Sequence, residues 1–96
     1  MSRIIELTST QLKNKKEALE GNNEKFKGYI DELQGYVDKL TSMWEGQASD
    51  SFKKKFANDK GSMETLYSEI NNFIGAIDFA ISSYEEAEKQ NVGLYE

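Results

Sequence analysis

The sequence has no cysteine, no histidine and no proline, and a single tryptophan. Without cysteine there is no disulfide and no thiolate nucleophile. Without histidine there is no imidazole base, and the two absences together remove the usual zinc ligands. Most catalytic constellations are excluded, and neither a cofactor nor a metal is expected. No nucleophile, metal set or phosphate loop stands beside the carboxylates, so an enzyme is the least favoured reading. Long apolar runs are missing as well. No stretch approaches the roughly 18 apolar residues needed to cross a bilayer. The opening MSRIIELTST lacks the apolar core of a secretory signal. The expectation is a chain made soluble in the cytoplasm; if it leaves the cell, it must do so by a route that reads no cleavable signal.

What is present is charge and helical periodicity. Charged residues make up 30% of the 96 positions, with a formal net charge of -5. Residues 1–43 carry seven basic and seven acidic groups, and residues 44–96 carry five and ten. That imbalance argues against nucleic acid as a partner. Few glycines and no proline suit a helical globular chain. At this length one domain spanning residues 1–96 is expected, with 1–8 and 90–96 as flexible ends. So small a chain buries a reduced fraction of its surface, which leaves association with another chain open.

From Leu12 onward apolar residues recur every seven positions: Leu12, Leu19, Phe26, Leu33 and Leu40. Taking these as heptad position d, position a holds Ser9, Lys16, Asn23, Ile30, Val37 and Trp44. The seam is half built near the start and complete from Phe26 onward. Thr8, Ser9 or Thr10 is the expected N-cap. Gly21, Gly28 and Gly35 fall on the face opposite the seam, each costing about 1 kcal/mol relative to alanine. They are either tolerated on a solvated face or mark a shallow groove where another surface approaches.

A second run places Phe56, Met63, Ile70, Ile77 and Tyr84 at one heptad position, and Phe52, Leu66, Phe73, Ala80 and Ala87 at another. Tyr67, Ile74 and Ile81 widen the stripe to roughly 100° or more, as in a helix packed in a bundle. Asp59, Lys60 and Gly61 interrupt the stripe and are its expected weak point. The fold expected is all-α: a helix over about 9–43, a turn at 44–47 and a helix over about 48–89. Gly46 suits the left-handed backbone of a helix C-cap, and Ser49 or Asp50 the next N-cap.

So short a link forces an antiparallel helical hairpin. Two helices side by side leave both apolar stripes open on a flank, and a two-fold dimer forming a four-helix bundle closes them. Residues for this core and dimer contact are Leu19, Phe26, Ile30, Leu33, Val37, Leu40, Phe52, Phe56, Met63, Leu66, Ile70, Phe73 and Ile77.

By spacing, Trp44 continues the a series as a core residue at the bundle tip. It can also act as a recognition handle, with its ring packed and its edge exposed. Gly46 is first a turn glycine, and Tyr84 falls on the apolar stripe. Glu88 belongs to an acidic cluster with Glu85 and Glu86 that reads as a solvated face. These acids near the expected end of the second helix, and Lys53, Lys54 and Lys55 near its start, oppose the helix dipole. The lysines form a solvated face or meet anionic lipid or an acidic partner segment.

A cysteine-free helical hairpin of this length with Trp44-Glu45-Gly46 in its turn and Tyr84-Glu85-Glu86-Ala87-Glu88 near its end resembles the WXG family. These are small substrates of type VII (ESX) secretion systems, the early-secreted-antigen-like proteins. The resemblance covers nearly the whole chain. It implies a homodimer or a heterodimer with a sister WXG protein, exported folded by a membrane-anchored FtsK/SpoIIIE-type ATPase. It further implies a composite signal, with Trp44 and Gly46 from one subunit beside Tyr84 and Glu88 from the other. Two other functions stay open: an intracellular chaperone-like partner of a larger toxin, and a membrane-active amphipathic hairpin. The net negative charge weighs against anionic membranes for the latter.

Overall fold

The computed structural model describes the backbone of residues 2–95 and the side chains of residues 8–90. It is an all-α helical hairpin of two long helices, α1 (Ser2–Ser42) and α2 (Gln47–Tyr95). Both reach further toward the chain ends than the expected 9–43 and 48–89. No proline stands near either limit to stop them, and Ser9 is not an N-cap. It lies inside α1, 5% exposed, and its Oγ donates to Glu85 Oε1 at 3.3 Å. The expected weak point at Asp59, Lys60 and Gly61 is also unbroken helix.

At the turn, α1 closes by tightening. The amides of Met43 and Trp44 donate to the carbonyls of Leu40 and Thr41 at 3.2 and 3.3 Å, bonds to the third residue back that satisfy terminal carbonyls. Thr41 Oγ1 donates to the Val37 carbonyl and Ser42 Oγ to the Lys39 carbonyl, each at 2.7 Å. Gly46 then begins the second helix instead of ending the first. Its φ is +111°, and its carbonyl accepts the Asp50 amide at 3.1 Å, which makes it the N-cap of α2. Ser49 and Asp50 therefore fall within the first turn. Asp50 suits the positive end of the helix dipole there, while Ser49 is 1% exposed.

Contacts between α1 and α2 fall into two compact units, Asn23–Ile70 and Met1–Asn22 with Asn71–Glu96. In the first, the turn unit, Ile30 is fully buried, and Phe26, Val37, Phe56, Met63 and Ile70 are half-buried. Its polar contacts lie toward residue 23. Asn23 Nδ2 donates to the Tyr67 carbonyl at 3.1 Å, and the Tyr67 hydroxyl donates to Glu24 Oε1 at 2.9 Å.

In the second, the end unit, Ile74 and Ile81 are the buried apolar residues, and Leu12, Leu19 and Ile77 are half-buried. Lys16, at an a position, reaches Asp78 at 2.8 Å and Glu20 at 3.3 Å. Lys13 meets Glu85 at 2.6 Å. The half-built seam of the sequence is thus a polar seam, in which Ser9 and Lys16 supply hydrogen bonds and ion pairs where Ile30 and Val37 supply apolar contact.

The opposite helix does not cover every residue of the apolar stripes. Leu33 and Leu40 on α1, and Phe52, Leu66 and Phe73 on α2, are exposed in the single chain. Among the residues expected in the core and dimer contact, these five form the part that two helices leave uncovered.

Candidate recognition surface

The turn unit carries Trp44 and Gly46. Trp44 lies just past the end of α1, 38% exposed, with its ring centroid 5.8 Å from that of Phe52 and the planes tilted by 48°. This offset aromatic pair fixes the indole on one side and leaves the other to solvent. Beside it, Phe52, Lys55, Phe56 and Asp59 line a shallow groove of about 250 Å³. Trp44 is therefore both packed and accessible, and neither a pure core residue nor a free handle.

The end unit carries Tyr84 and Glu88, one turn apart on α2, so that the ring and the carboxylate share a face. Tyr84 is 41% exposed and Glu88 half-buried. Tyr84 borders an apolar groove of about 440 Å³ whose other walls are Phe79, Ala80, Ser83 and Ala87. Glu85, between the motif residues in sequence, is turned to α1. Lys13, and then the Ser9 hydroxyl, favour its ionised form and hold its carboxyl below the ordinary range.

Periodicity alone does not reveal Phe79. It lies off both heptad stripes of α2 and is 75% exposed, with Gly75, Ala76 and Ser83 within a turn of it. An aromatic residue outside the expected stripe, surrounded by small side chains, was the available signal. The acidic and basic clusters of α2 do not oppose its dipole as expected. Because α2 runs from Gln47 to Tyr95, Lys53–Lys55 and Glu85–Glu88 all lie beyond its terminal turns, where the dipole has little effect.

A family model described as "Proteins of 100 residues with WXG" matches residues 4–89, a span that includes the turn, Tyr84 and Glu88. The chain belongs to the WXG100 family. No curated protein and no solved structure matches it. WXG100 proteins are small, helical and secreted, associated with type VII secretion as its substrates, and are not an enzyme family. Among the described residues of this WXG100 chain, no helix is long and apolar enough to cross a membrane.

Proposed function

We propose that this WXG100 chain is a non-enzymatic substrate or adaptor of a type VII secretion system. It is made in the bacterial cytoplasm and exported as a folded dimer without a cleavable signal peptide. Its partner is a second copy or a sister WXG protein, and its transporter an FtsK/SpoIIIE-type ATPase. The export signal is composite: Trp44 and Gly46 of one subunit, with Tyr84 and Glu88 of the other. The observation that carries this reading is the state of the two aromatic residues. Trp44, just past the end of α1 and packed on Phe52, and Tyr84, on α2, are each left partly open, so that both rings remain available to a transporter.

The apolar flank supports the dimer. Leu33, Leu40, Leu66 and Phe73 are exposed in one chain at heptad spacing, as expected of residues that pack against a second hairpin.

Trp44→Ala and Glu88→Ala, each produced in a type VII-competent cell, test the signal. Both variants are expected to accumulate in the cytoplasm and to be lost from the culture supernatant, while circular dichroism shows retained helix. Normal export of either variant as a folded dimer would overturn the composite signal.

A further inference from the structure

Different chemistry holds the two helices together in the two units. In the turn unit Ile30 is fully buried, and Asn23, 2% exposed, donates to the Tyr67 carbonyl. The Tyr67 hydroxyl returns a bond to Glu24, so the two helices clamp each other reciprocally. In the end unit, heptad position a carries Ser9 and Lys16 where the turn unit has Ile30 and Val37. Ser9, Lys13 and Lys16 reach across to Glu85 and Asp78. Those carboxylates are 43% and 55% exposed, so solvent competes for them and each pair contributes little. Buried apolar support is left to Ile74 and Ile81.

We propose that the end unit opens cooperatively while the turn unit stays closed, parting α2 from α1 over 71–88 and uncovering Glu88, Ile74 and Ile81 for the transporter. The proposal rests on the export reading and adds the state in which the motif is read. Segments held by few buried apolar contacts and by exposed polar pairs open below the cost of global unfolding, and the Asn23–Tyr67 clamp is where this opening stops. Two observations tie it to the motif. Glu85, between Tyr84 and Glu88, is the residue bound to Lys13 and Ser9, so releasing the seam and freeing the motif segment are one event. Glu88 is half-buried in the closed pair, and a transporter that prefers the open form draws the population toward it by that difference in affinity.

Hydrogen exchange of the full chain, resolved by residue, tests the opening. Amides of 9–22 and 71–88 are expected to exchange through one shared opening, faster than those of 50–66. Lys16→Leu places an apolar side chain at position a. It should slow exchange of the end unit roughly tenfold or more and leave 50–66 unchanged. In a type VII-competent cell the same variant, with wild-type helix content by circular dichroism, should reach the supernatant several-fold less. Equal protection along the whole of α2 overturns the opening. Slowed exchange with undiminished export overturns its part in presenting the motif. Wild-type chain that the cell does not export overturns the export reading, and with it that part, while the opening stands on the exchange data alone.

Discussion

At the scale of single residues, the glycines separate into two kinds that the sequence does not distinguish. Gly46 has a φ of +111°, in a region that costs a side-chain-bearing residue about 1–2 kcal/mol. Gly28 and Gly35 lie in regular helix with nothing within 4 Å of an added Cβ. Alanine there removes a helix-interior glycine penalty of about 1 kcal/mol. Gly46→Ala is therefore expected to lower the melting temperature by about 4–8 °C, and Gly35→Ala to raise it by a similar amount. Thermal unfolding followed by circular dichroism reads both. If Gly35→Ala instead destabilises a sample that is dimeric, the glycine face is a place of close approach in the assembly, the second of the two readings its spacing allowed.

At the scale of elements, heptad spacing made both helices, their joint at Gly46 and the apolar stripes legible. Their limits were not, because Thr8, Ser9 and Thr10 read as a cap when only local sequence is considered. Ser9 instead spends its hydroxyl on Glu85 across the pair, a contact decided by tertiary packing. Likewise Ile74 and Ile81, which only widen the stripe on a helical projection, are the buried residues of the end unit. The motif residues were legible as a pattern, while the groove beside Tyr84 was not, since it depends on Phe79 standing outside the stripe. The same polar packing gives the end unit a pH response. Lys13 chiefly, and then Ser9, lower the pKa of Glu85 from its ordinary 4.5. A depressed carboxylate pKa contributes stability above the unfolded value, and that contribution is lost as pH falls through the folded value. Hydrogen bonds to Asp78 and then Glu20 raise the pKa of Lys16 above 10.5, so its contribution is complete below that pH and lost above it. Glu85→Gln should therefore melt below the wild type at pH 7, with the gap closing as pH drops below 4.5. A gap that stays constant into acid would show that the Lys13–Glu85 pair does not act through charge.

At the scale of the whole molecule, the proposed dimer would cover apolar residues that the single chain leaves open. Leu33, Leu40, Leu66 and Phe73 are all exposed, so a charge introduced there costs the single chain little but would be buried in a dimer. Leu40→Asp and Phe73→Asp are accordingly expected to shift the mass measured by light scattering from twice 10.9 kDa toward the monomer value. Because assembly is linked to folding, the wild-type melting temperature should also rise with protein concentration and that of the dissociated variants should not. Wild-type protein that runs as a monomer with a concentration-independent transition would remove the dimer. Aspartate variants that keep the wild-type mass would instead place the contact on another face of the helices.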